Sequence, residues 1–174
     1  MDHDSYTNAY LRGILEEVKT IAMVGASANW NRPSYFAMKY LQDKGFRVIP
    51  VNPREAGKEI LGETVYPDLA SVPVPVDMVD IFRNSEAAGP ITDEAIRIGA
   101  KVVWMQLTVR NDEAAKRAEA AGLKVVMNRC PKIEYARLFG ELGWNGFNTR
   151  VISSKRRKLA APARPTAPSQ QESA

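Results

Sequence analysis

A chain of 174 residues, 45% hydrophobic and 25% charged, suits one domain with a full core and is short for two. No apolar run reaches the ~18 residues of a membrane span, and the polar, acidic residues 1–8 do not read as a secretory signal, so a cytoplasmic protein is expected. The single cysteine, Cys130, excludes an internal disulfide, and the net charge of +4 comes entirely from residues 151–174, which leaves a neutral body and argues against a nucleic-acid surface.

Tyr10, Leu11, Ile14, Leu15 and Val18 fall at helical spacing and predict an amphipathic first helix. Residues 20–24 form an apolar run ended by Gly25, the profile of a strand buried on both faces. A loop over 26–32 leads to Pro33, which suits the first turn of a helix; that helix is predicted over 34–44, with Gly45 as its stop. Strands follow at 46–51, 78–82, 102–105 and 123–127. Between the later strands, helices are predicted over 86–98 and 112–121, closed by Gly99 and Gly122, and a last short helix over 133–142. Residues 151–174, rich in Ala, Pro, Ser and Gln, predict a disordered tail.

Alternating strands and helices with short links imply βαβ units and right-handed crossovers. The expectation is a three-layer, Rossmann-like α/β fold over residues 1–150, with five parallel strands in the order 3-2-1-4-5. Ligands of such sheets bind beyond the C-terminal strand ends, where the order reverses. The loops gathered there begin at Gly25, Asn52, Arg83, Gln106 and Asn128. Gly25 allows a sharp turn and close backbone approach, and the following helix start offers N–H groups to a phosphate. Ser27 adds a hydroxyl and Arg32 a countercharge. Read for structure alone, Gly25 makes the turn and nothing more, and both readings stand at this point.

The run Gly25-Ala26-Ser27-Ala28-Asn29-Trp30 holds one glycine, and Val51-Asn52-Pro53 has no acid where the second strand would end in a ribose-gripping carboxylate. Both features argue against NAD. No Gly-Lys-Ser/Thr follows the first strand, which excludes a P-loop. A phosphate-bearing ligand with an adenine-like ring remains.

Several segments resemble the small stand-alone CoA-binding domain family: Val24-Gly25-Ala26-Ser27, Lys39-Tyr40-Leu41, Gly45-Phe46-Arg47-Val48, Pro50-Val51-Asn52-Pro53 and Ile60-Leu61-Gly62. The likeness continues through Asp77-Met78-Val79-Asp80-Ile81-Phe82-Arg83, Val103-Trp104-Met105-Gln106-Leu107 and Cys130. It covers about residues 15–140, and the family is similar to the N-terminal domain of the succinyl-CoA synthetase alpha subunit. The resemblance implies coenzyme A or an acyl-CoA as ligand. Gly25, Ala26 and Ser27 would cradle its diphosphate, and Val51, Asn52 and Pro53 would border the adenosine. Phe82, Arg83 and Asn84 would line the pantetheine route, with Gln106 and Leu107 further along, near Asn128 and Cys130. Arg32, Arg54 and Arg83 are candidate phosphate partners. The sequence departs from the family pattern at Thr108, where members often carry glycine.

His3 is the only histidine and falls in an N-terminus expected to fray. No Ser-His-Asp or Cys-His site can then form within the domain, nor a ligase working through a phosphohistidine, so the resemblance implies binding without catalysis. Cys130 is the candidate reactive thiol. Beside the CoA thiol it would serve a redox regulator or accessory subunit; otherwise it is a small packing residue. Asp77 and Asp80 bracket a strand three residues apart, point to opposite faces and make no acid–base pair. Trp104 is expected in the core. The basic run Lys155 to Lys158 reads as a solvated tail, with an interaction role as the alternative. A protein partner and a homo-oligomer both stay open.

Overall fold

The computed structural model describes residues 1–140; the expected tail at 151–174 lies outside the described residues. The elements are α1 (Asn8–Glu17), β1 (Thr20–Val24), α2 (Pro33–Asp43), β2 (Arg47–Val51), β3 (Glu59–Ile60), β4 (Glu63–Thr64), β5 (Met78–Ile81), α3 (Ser85–Arg97), β6 (Val102–Met105), α4 (Asp112–Ala120), β7 (Lys124–Val126) and α5 (Pro131–Leu138). Most lie within two residues of the sequence reading. The last helix starts earlier, at Pro131, and ends earlier, at Leu138. No helix among the described residues is long and apolar enough to cross a membrane.

The sheet is parallel, ordered β2-β1-β5-β6-β7. Alternation along each strand splits the core in two. Ile21, Met23, Met78, Trp104 and Val126 face α1, α2 and α5. Ala22, Val24, Val79, Ile81, Val103 and Val125 face α3 and α4, whose buried alanines let those helices approach closely. Trp104 is in the core as expected, and its Nε1 donates to the Arg129 carbonyl at 2.9 Å.

The strand order corrects the sequence reading, which put residues 78–82 outside the second strand. In the structure Met78 to Ile81 pair with the free side of β1, from Ile21↔Met78 to Val24↔Ile81. The place outside β2 goes to a single parallel bridge, Val51↔Tyr66. Pro67 follows at once and has no N–H with which to extend that ladder. Counted as a one-residue strand, Tyr66 is the missing third member, and the point of reversal lies between β1 and β5.

The N-terminus is also unlike its expectation: it docks rather than frays. The Tyr6 hydroxyl accepts the Met127 N–H at 2.8 Å, and the Tyr10 hydroxyl accepts the Val125 N–H at 3.1 Å. His3 Nδ1 lies 2.9 Å from the Tyr6 hydroxyl, and its Nε2 faces Glu119 at 3.4 Å. Arg110 pairs with Asp4 as well as Asp112.

Three strand ends are drawn together at Gly25. Its N–H donates to the Val51 carbonyl at 2.9 Å, and the Phe82 N–H donates to the Val24 carbonyl at 2.8 Å. Gly25 has φ +89°, and a Cβ there would stand 2.9 Å from the Phe82 carbonyl oxygen. The obstacle is backbone and cannot swing away. Gly25→Ala is therefore expected to lower stability by roughly 2–3 kcal/mol in urea unfolding. A variant as stable as wild type would show that the strand ends can part.

Candidate functional site

Beyond Gly25 the chain turns into α2. Asn52 ties two loops together: its Nδ2 donates to the Ala26 carbonyl at 2.8 Å, and its Oδ1 accepts the Arg54 N–H at 3.0 Å. Ala26 is itself buried, so it contributes backbone to the turn and no side chain to a cavity wall. The N-cap of α2 is Arg32, in extended conformation, with Pro33 behind it and no side-chain cap. Pro33 has no N–H and the Tyr35 N–H donates to the Arg32 carbonyl at 3.0 Å, which leaves the Ser34 N–H as the first-turn donor with capacity for an anion.

A cavity of about 400 Å³ opens here, with Gly25, Ser27, Arg32, Asn52, Arg54 and Arg83 among its lining residues. The three arginines are unusual in this molecule. Arg12, Arg47, Arg110, Arg117, Arg129 and Arg137 form ion pairs, and Arg97 donates to a carbonyl. The side chains of Arg32, Arg54 and Arg83 have no such partner among the described residues. The acid of this cavity is Glu55. Its carboxylate accepts the Ala28 N–H at 3.2 Å and the Ser27 hydroxyl at 3.5 Å, the donors an incoming anion would use.

A second cavity, of about 440 Å³, adjoins the first on the side of Val51, Asn52 and Pro53. A third, larger one of about 830 Å³ runs along α2 and α5 and takes in Phe82, Arg83, Asn84, Gln106, Leu107 and Cys130. Its rim carries the exposed apolar residues Phe36, Leu107 and Ile133. Asn84 also caps α3, accepting the Ala87 N–H at 3.0 Å. Asn128 lines none of the three; its Oδ1 accepts the Thr108 N–H at 2.8 Å and so holds the wall in place.

A model of the family described as "CoA binding domain" matches residues 19–136. The chain belongs to the CoA-binding domain family. Among relatives of this CoA-binding domain is the uncharacterised protein YneT of Bacillus subtilis (strain 168), 35% identical over 130 residues, which are 75% of this chain and 95% of YneT. A hypothetical protein from Pyrococcus horikoshii OT3 is 40% identical over 80% of this chain and 97% of its own, with a TM-score of 0.75. The dinucleotide-forming acetyl-coenzyme A synthetase 1 of Ca. Korarchaeum cryptofilum is 25% identical, with a TM-score of 0.55, over 63% of this chain and 26% of that enzyme.

Two features of this CoA-binding domain escaped the sequence reading. Asp80 is fully buried and lies behind the cavity wall, accepting from Gln106 Nε2 at 2.9 and 3.2 Å. The signal was a carboxylate inside an apolar strand, which must find a partner or a proton. Burial pushes its pKa up to about 7, and the Gln106 hydrogen bond offsets only part of that. Asp77 serves a different end of the sheet, accepting the Lys19 and Thr20 N–H groups and pairing with Lys101. The other feature is Glu55, which no motif announced.

Burial also pushes the Cys130 thiol up; the N–H groups of Ile133 and Lys132 counter this in part, while the Asp80 charge adds to it. That lowers the thiolate fraction at neutral pH. Thr108, the departure from the family pattern, has φ +69°. This is the conformation glycine adopts freely and a β-branched residue resists.

Thr108→Gly is expected to relieve strain of about 1 kcal/mol, read as a higher urea midpoint; an unchanged or lower midpoint would show the site unstrained. Asp80 generates a pH prediction. Below about pH 4 its carboxyl is neutral in both states and carries no penalty; as pH rises to about 7 only the unfolded chain releases the proton. Wild-type stability should therefore fall relative to Asp80→Asn by on the order of 4 kcal/mol across that window, then stay level. Parallel stability curves for the two proteins would refute this.

Proposed function

We propose that this chain binds coenzyme A or an acyl-CoA as a small stand-alone module and catalyses no reaction itself. The observation that carries the reading is the trio Arg32, Arg54 and Arg83. They surround one cavity beside an uncapped helix start and have no acidic partner among the described residues. An anionic ligand supplies what they lack.

Coenzyme A suits the rest. Its diphosphate would lie over Gly25, Ala26 and Ser27 at the start of α2. The adenosine would occupy the cavity at Val51, Asn52 and Pro53, where the second strand ends without the acid that NAD requires. The uncharged pantetheine arm would pass Phe82, Arg83 and Asn84 into the larger, mainly apolar cavity toward Gln106, Leu107 and Cys130. Charge and cavity character thus change along the site as they change along the ligand. The match with nearly the whole length of YneT and of the P. horikoshii protein supports a module of this size. The raised pKa of Cys130 supports binding over thiol chemistry.

Calorimetric titration with CoA, acetyl-CoA, NAD and ATP tests the reading. CoA species are expected to bind and NAD is not; binding of NAD alone would overturn it. Arg54→Ala and Arg83→Ala should each weaken CoA binding about tenfold, the effect of losing one charged hydrogen bond. Glu55→Gln, which removes the carboxylate competing for Ser27 and Ala28, should tighten binding several-fold.

A further inference from the structure

We propose that Asp80 is a positioning residue: it fixes the Gln106 side chain with its carbonyl oxygen toward the large cavity, where that oxygen selects a ligand carrying a hydrogen-bond donor. The inference rests on the coenzyme A reading and adds what the bound pantetheine arm must offer at this point.

The orientation follows from chemistry. A carboxylate only accepts, so the group of Gln106 that lies 2.9 and 3.2 Å from the two Asp80 oxygens must be the amide nitrogen. Oε1 then points elsewhere. It has no hydrogen-bond partner among the described residues, although Gln106 is only 6% exposed. Nor is it sealed in the protein, since the buried side-chain atom left without a hydrogen bond among the described residues is His3 Nε2. Gln106 belongs to the wall of the large cavity, and its free oxygen opens there. A nearly buried acceptor without a partner is satisfied by a ligand donor and repelled by a ligand acceptor. The pantetheine arm offers donors of two kinds, its amide N–H groups and its terminal thiol.

Asp80 can also withdraw the acceptor. Once protonated it becomes a donor, a half-turn of the Gln106 amide about its last torsion presents Oε1 to it, and the ligand loses its partner. The surroundings of Asp80 bear on that proton. At its level β1 presents Met23 and β6 presents Trp104, neither of which titrates. The buried residues of α2 are Ser34, Ala37, Met38 and Leu41. The titratable groups of α5 and its cap are the Cys130 thiol, Lys132, Glu134, Tyr135 and Arg137, of which Tyr135 packs against the same core.

The test titrates CoA, acetyl-CoA and desulfo-CoA into wild type and Asp80→Asn from about pH 5.5 to about pH 8.5, with thermal melts confirming that both fold. Subtracting the variant's profile removes the ligand's own phosphate titration. Wild type should then bind CoA about tenfold more weakly at the acid end, a dependence absent from the variant. If acetyl-CoA and desulfo-CoA lose this dependence, the donor is the thiol; if they keep it, the donor is an amide N–H, and either result supports the proposal. Superposable profiles for wild type and variant overturn the role of Asp80 and leave the coenzyme A reading intact. Failure of wild type to bind all three overturns that reading, and this role with it. An independent measurement needs no variant: the side-chain carbonyl ¹³C resonance of Gln106 should move on saturation with CoA at about pH 8, and a resonance that stays still overturns the proposal.

Discussion

The Phe82 carbonyl oxygen stands where a side chain on residue 25 would have to be. That contact is possible because β5, and no other strand, pairs with the free side of β1. With the Gly25 N–H on Val51, it brings the ends of β2, β1 and β5 to one place. The loops bearing Arg54 and Arg83, and the start of α2 bearing Arg32, issue from that place. A bulkier residue at the turn would spread the strand ends and the three guanidiniums together, so backbone sterics set the electrostatics of the crevice.

Two buried or crowded charges of opposite kind then divide the site. At one end, guanidiniums outnumber the single carboxylate of Glu55, and the backbone N–H groups of a turn and a helix start add to the positive field. At the other end, the wall is apolar and a lone carboxylate, Asp80, is kept behind Gln106. Asp80 is fully buried, and that burial is why a proton on it matters near neutral pH.

Much of this was readable from residues alone. Apolar runs closed by glycine gave the strands and helices, and the rule that open sheets bind at their carboxyl edge located Gly25, Asn52, Arg83 and Gln106. The misplacements have physical causes. Residue 66 contributes one bridge before Pro67 ends the ladder, too little to register as a strand, so the third place in the sheet was given to residues 78–82. The N-terminal residues looked polar and loose because Tyr6 and Tyr10 anchor them through hydroxyl contacts to a distant strand, which no local pattern encodes. Along the chain Asp80 has only Asp77 as an obvious companion, whereas its partner Gln106 follows the end of the neighbouring strand β6. Glu55 has no periodicity or motif; only folding brings it to Ser27.

Those two tyrosines carry a further consequence. β7 is the last strand of the sheet, and its outward N–H groups at Val125 and Met127 are taken by phenolic oxygens of the same chain. Burial pushes both phenols up, so they stay protonated at any physiological pH. On the opposite border, Pro67 interrupts the ladder beside Tyr66. A foreign strand seeking to extend this sheet would have to evict the tyrosines at one border or find a donor that proline lacks at the other, and the molecule is thereby guarded against growing into a longer β-ribbon.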